Sequence, residues 1–200
     1  MVTCKFQREK DLISYYNQHL ISWSWLQFPG YMATFFDDVG VDPTKLKSVL
    51  DLGCGIGKFS TYLPEDIEYT GVDYSQARVD HAKATMWEWL NPNRNFFCDD
   101  IHTFVENTDM KQFELVNMIE TLEHLQDPKS LIDKIREKNK DIIIIGTIPI
   151  HNIDKVHLQV WKTLQELECD LSPDIAIPCG GEDGSDRSGL PGRSWNVRWN

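Results

Sequence analysis

The densest chemistry in this 200-residue sequence is the run Asp51-Leu52-Gly53-Cys54-Gly55-Ile56-Gly57, which follows a strand-like segment and opens a helical one. Three alternate glycines let the backbone pass close to a ligand, where a side chain would collide with it or with the next helix. One strand later, Asp73 in GVDYS sets a carboxylate at the neighbouring strand's carboxyl end, suited to accept from both hydroxyls of a ribose. Tyr74 follows it and can pack on an adenine face. The third strand-like segment ends in Cys98-Asp99-Asp100-Ile101. A carboxylate there, Asp99 or Asp100, can accept from an adenine exocyclic amine while the next backbone N–H meets a ring nitrogen. Taken singly, each acid is a solvated strand-end charge. Three strand ends in sequence order, each carrying the fitting group, point to an adenosine-bearing ligand.

A nicotinamide cofactor is the first rival. Its GxGxxG fingerprint asks for glycine at position 58, where Lys58 stands, and the third glycine falls at Gly57. Asp51 beside the loop also suits a cationic amino group better than a pyrophosphate. S-adenosylmethionine carries a ribose, an adenine and an amino acid without phosphate, and matches the whole set. Cys54 in the turn reads as a small packing residue, because no neighbouring sequence signal supplies an activating base.

A second constellation is Glu120-Thr121-Leu122-Glu123-His124. On a helical turn, offsets of three and four put Glu120, Glu123 and His124 on one face. His151 and His157 follow the next strand-like segment, which opens on the same side. His124 and His157 are the general-base candidates, since an imidazole titrates near ~6.5. The plain alternative has Glu120 lining the cofactor pocket, Glu123 solvated and His124 packed or substrate-facing. The metal alternative makes Glu120, Glu123, His124 and His157 ligands of Mg or Mn, lowering an acceptor hydroxyl's pKa; the sequence favours it less, because motif matches of this kind carry many false positives.

The elements that must position these groups alternate. Strand-like segments at 48–52, 67–73, 95–99, 113–119 and 141–148 are separated by helical stretches near 58–63, 75–90 and 128–138 and by a short polar segment after 99. Such alternation predicts parallel βαβ units in a doubly wound α/β sheet with helices on both faces. Asp127-Pro128 is an N-cap followed by a first-turn proline. Residues 1–47 read as helical and aromatic, either core packing or a lid over the strand ends. Residues 152–168 read as helical, and 174–178 and 194–200 as strands at one sheet edge flanking a glycine-rich loop.

Length predicts one domain over residues 1–200, with a cap at 1–47, a core at 48–150 and edge elements at 151–200. Twenty Lys+Arg against 31 Asp+Glu give a net charge of −11. That balance lacks the cationic footprint of a general nucleic-acid binder and favours a small-molecule partner. No apolar run approaches the ~20 residues of a membrane span, and no signal core opens the chain. Five cysteines without a CxxC pair read as reduced thiols, hence a cytoplasmic expectation.

VLDLGCGIGKFS, YTGVDYS, FFCDDI and FELVNMIETLEHLQDP together resemble the successive motifs of class I S-adenosylmethionine-dependent methyltransferases, over residues 45–150. The resemblance implies a Rossmann-like sheet with an antiparallel last strand. It also implies that Gly53, Cys54 and Gly55 approach the methionine part by backbone, that Asp73 holds the ribose, and that Tyr74 with Asp99 or Asp100 frames the adenine. The C-terminal part is short for that family, so its final strands are expected to be compressed into 174–200 or partly missing. The ETLEH segment resembles both the metal site of small-RNA 3′-terminal 2′-O-methyltransferases and a segment of quinone-pathway O-methyltransferases. Methyl transfer to an O or N acceptor is the expected activity. The alternatives are RNA 2′-O-methylation and a catalytically silent cofactor-binding partner subunit.

Overall fold

The structure is a computed structural model that describes residues 35–85, 92–149, 158–178 and 194–200. Its frame is a seven-stranded sheet of β1 (Ser48–Leu52), β2 (Glu68–Asp73), β3 (Arg94–Cys98), β4 (Leu115–Ile119), β5 (Ile143–Pro149), β6 (Ile175–Pro178) and β7 (Ser194–Trp199). The spatial order is β3-β2-β1-β4-β5-β7-β6. Strands β1 to β5 pair parallel, and β7 runs antiparallel to both β5 and β6. This is the Rossmann-like, mostly parallel sheet with an antiparallel last strand. The final strands are therefore compressed into the C-terminal residues rather than missing. Trp199 closes that edge, fully buried, with its indole N–H donating to Leu171 O at 2.8 Å.

Both faces are covered, as βαβ connections require. Leu50, Leu52, Val116, Met118, Ile144 and Val197 pack against α2 (Ile101–Asn107), α3 (Pro128–Lys138) and α4 (Leu164–Leu171). Val49, Tyr69, Phe96, Leu115 and Ile145 pack against α1 (Gln76–Thr85) and Phe35, Phe36, Val39 and Val41. Alternate residues of one strand thus serve opposite cores. Residues 35–41 belong to this second core. Most of the expected N-terminal lid, residues 1–34, lies outside the described residues.

Helix α3 shows why these stretches are helices. Asp127 accepts from Ser130 N–H at 3.0 Å and Pro128 occupies the first turn. Leu131, Ile132 and Ile135 then fall on one buried face, each contributing about 1.5–3 kcal/mol by leaving water. At its far end, Lys138 Nζ donates to the carbonyls of Val105, Glu106 and Thr108, capping the end of α2.

Some elements differ from the sequence expectation. The stretch after Gly57 is a 3-10 turn, Lys58–Tyr62, rather than an α-helix. The polar segment after Asp99 is helix α2, capped by Asp100 and pinned inward by Ile101 and Val105. The helix expected over 152–168 begins at Leu164, where Thr163 and Glu166 form a capping box, and residues 150–157 lie outside the described residues.

Candidate active site

Strands β1 and β4 neighbour each other while their connections run to opposite faces, so the sheet's switch point opens between their carboxyl ends. The glycine turn sits there. Gly53 and Cys54 N–H groups both donate to Val72 O, at 2.8 and 3.0 Å, folding the turn back onto the end of β2. The carboxylate of Asp73 closes the clasp: Oδ2 accepts from Gly55 N–H and Oδ1 from Ser75 N–H, both at 2.8 Å. Asp73 is 6% exposed. Burial raises its pKa, opposed by the Ser75 and Gly55 N–H bonds and the Arg78 charge. Each oxygen keeps a second lone pair after its backbone bond.

The three glycines serve different ends. A Cβ at Gly53 would collide with Thr121 Oγ1 and lie 2.9 Å from Thr121 Cγ2. A Cβ at Gly57 would lie 2.6 Å from the Phe96 ring. At Gly55 the nearest atom would be Arg78 NH1 at 3.8 Å, so only this glycine presents open space. Gly53 and Gly57 are thus required by the protein's own packing, one of the two collisions expected for this turn. Cys54 is buried in the second core, and burial holds its thiol pKa well above the usual range, which leaves it a packing residue.

Asp51 is the other acid of this turn. It is 2% exposed, beneath the turn, with Tyr69 OH donating to Oδ2 at 2.5 Å and Asn117 Nδ2 to Oδ1 at 2.7 Å. Burial pushes its pKa up to about 6 against the pull of those two bonds. It braces the turn from within through these two bonds. Tyr69 and Asn117 escaped notice in the sequence. The signal was a lone Asn inside the apolar strand LVNMI, opposite Asp51 in register.

At the ends of β2 and β3, Tyr74 is 44% exposed. Asp99 N–H donates to Asp73 O at 3.2 Å, bringing Asp99 beside the Asp73 clasp. Asp100 caps α2, its carboxylate accepting from Thr103 N–H at 2.9 Å, and Ile101 is buried as the first residue of that helix.

The ETLEH segment is not the single helical face expected. Glu120 has φ +49, in the left-handed region, and only Leu122–His124 forms a 3-10 turn. Glu120 is exposed while Glu123 is 1% exposed. Crowding around the open Glu120 carboxylate still raises its pKa. Burial, reinforced by Glu120, drives Glu123 well above the carboxylate range. Glu123 Oε2 has no hydrogen-bond partner, and Oε1 stands 3.9 Å from His124 Nε2. His124 is half-buried. Leu158 and Gln159 N–H groups donate to Glu123 O at 2.7 and 3.1 Å, so the chain after β5 returns to this turn. His151 and His157 lie outside the described residues. Among the described residues no three His, Cys, Asp or Glu side chains gather as a metal site; His157, the fourth residue of the metal alternative, lies outside them.

A family model described as a methyltransferase domain matches residues 22–147. The chain belongs to that family, within the class I S-adenosylmethionine-dependent methyltransferases. Over 89 residues it is 38% identical to the ubiquinone biosynthesis O-methyltransferase of Coxiella burnetii (strain Dugway 5J108-111), covering 44% of this chain and 37% of that protein. Over 98 residues it is 31% identical to (S)-coclaurine N-methyltransferase of Papaver somniferum, covering 48% and 27%. The chain thus spans 37% and 27% of the length of these two curated relatives. Magnesium protoporphyrin IX methyltransferase from Synechocystis PCC 6803, solved with bound S-adenosylmethionine, superposes with a TM-score of 0.64 at 16% identity, over 96% of this chain and 95% of that one. The [4+2]-cyclase SpnF gives 0.52 at 18% identity, over 70% and 54%. These likenesses show the fold; the cyclase among them is why the activity must be argued from the site.

Proposed function

We infer that this protein transfers a methyl group from S-adenosylmethionine to an oxygen or nitrogen of a small molecule in the cytoplasm. The observation that carries the reading is the Asp73 clasp at the switch point, with the glycine turn held open at Gly55. When bound, S-adenosylmethionine supplies a methyl group made electrophilic by its sulfonium. The residues present fit it. The free lone pairs of Asp73 would take the ribose hydroxyls, and exposed Tyr74 the adenine face. Asp99 is our assignment for the adenine amine, because the Asp100 carboxylate already caps α2. The backbone of Gly53, Cys54 and Gly55 would border the methionine part, with Glu120 across the crevice.

The protein's own work is placement and proton handling. Aligning an acceptor with the reacting bond makes the step effectively unimolecular, the largest saving available to such a site. His124, half-buried beside the Glu123 carboxylate, is the group at the strand ends suited to accept the acceptor's proton. His157 keeps the same candidacy from sequence alone. The net charge of −11 favours a small acceptor over RNA. The curated relatives named for O- and N-methylation support the choice of acceptor atoms.

The test is release of S-adenosylhomocysteine across a panel of phenols, catechols and amines. Turnover with one class establishes the activity and names the acceptor. Tight cofactor binding with no turnover on any of them would favour the silent partner subunit instead.

A further inference from the structure

Glu120 is the non-glycine residue in the left-handed region nearest the switch point, at φ +49. An L side chain takes that conformation only at a cost, and such outliers persist where surrounding groups over-determine them. Two buried threonines do so here. Thr147 on β5 accepts from Glu120 N–H through Oγ1 at 3.0 Å. Thr121 Oγ1 lies 3.0 Å from Leu52 O and 3.1 Å from Ile119 O, and donates to one carbonyl at a time. The same side chain occupies the space where Gly53 would carry a Cβ. The ends of β1, β4 and β5 are thereby locked together, with the Glu120 side chain thrown outward beside the glycine turn.

Resting on the methyltransferase reading above, we propose that Thr147 and Thr121 are positioning residues that hold the Glu120 carboxylate toward the sulfonium end of the cofactor, so that the site binds S-adenosylmethionine in preference to S-adenosylhomocysteine. The chemistry explains the direction. In transfer the C–S bond breaks with its electron pair left on sulfur, and a new bond forms from carbon to the acceptor oxygen or nitrogen. Sulfur goes from a fixed positive charge to a neutral thioether. A carboxylate held near it attracts the reactant and has no charge to attract in the product.

The experiment is calorimetric titration of the intact chain with S-adenosylmethionine and with S-adenosylhomocysteine, reported as the ratio of affinities. Glu120→Gln removes the charge from an exposed side chain and leaves the fold. The ratio should fall about tenfold, through weaker S-adenosylmethionine binding with S-adenosylhomocysteine unchanged. Thr147→Val removes the acceptor for Glu120 N–H and should lower the ratio in the same sense, while Thr147→Ser keeps the oxygen and should restore it. A ratio unchanged in folded Glu120→Gln, with both ligands bound, overturns this proposal and leaves the methyltransferase reading intact. Failure of the wild-type chain to bind either ligand overturns both.

Discussion

The ends of β2 and β4 are built on opposite plans. At the β2 end both carboxylates are answered at each oxygen: Asp73 bridges Gly55 and Ser75, and the Asp51 carboxylate below is held by Tyr69 and Asn117. At the β4 end the backbone is strained at Glu120, a buried oxygen of Glu123 lacks a partner, and His124 stands half-buried beside it. Satisfied buried networks give rigidity, whereas strain and unmet polar groups concentrate where chemistry is done. The comparison assigns the first region to holding a cofactor of fixed shape and the second to handling charge and protons during transfer.

If that division is right, mutations at the two ends should fail differently. The largest effect is expected at His124. His124→Ala should lower kcat by about 10²–10⁴-fold, the usual reach of general acid–base catalysis, with S-adenosylhomocysteine affinity unchanged. Single-turnover kinetics beside calorimetry separates the two. A wild-type rate would leave placement alone as the mechanism.

The glycine turn sharpens the other side. Gly53→Val meets Thr121 and an unfavourable φ of +80, and should cost about 3–5 kcal/mol or prevent folding. Gly55→Ala meets open space at φ +55, and should cost only about 1–2 kcal/mol while weakening cofactor binding. Urea denaturation of both variants checks this. Equal destabilisation would mean that Gly55 is no more available to a ligand than its neighbour.

The smallest effect concerns Asp51. Its pKa is raised from 3.8 to about 6, so the folded state binds the extra proton. The stability this contributes is complete below about pH 4 and is lost as pH rises through about 6. Asp51→Asn should flatten that loss by about 1–3 kcal/mol. It should also fold well, because the Asn117 Oδ1 atom has no partner and can turn to accept from the new amide. Unfolding free energies at pH 4, 5, 6 and 7 test it. A parallel pH profile in the variant would show that the carboxylate is charged throughout.

The strands were legible as short apolar runs, with Gly53 following SVLDL and Asp73 ending GVD. Helix α2 stands where the sequence reads as a short polar segment, although Asp100, Ile101, Phe104 and Val105 carry an N-cap and helical spacing. The clasp residues were readable as types in order. The partners of Asp51 were not, because they depend on the register of β1 against β2 and β4. ETLEH misled for a related reason. Its offsets imply one face only if residue 120 is helical, and a hydroxyl on β5, distant in sequence, holds Glu120 otherwise.

The central claim is that the Asp73 clasp is a binding site for S-adenosylmethionine. Calorimetry of the wild-type chain and Asp73→Ala against S-adenosylmethionine, with NAD as the control, tests it most directly. The account predicts binding of S-adenosylmethionine, no binding of NAD, and an affinity lowered at least tenfold by the substitution, as expected for losing about 1.5–3 kcal/mol of charged hydrogen bonding. An undiminished affinity in the folded variant, or tight binding of NAD, would contradict it.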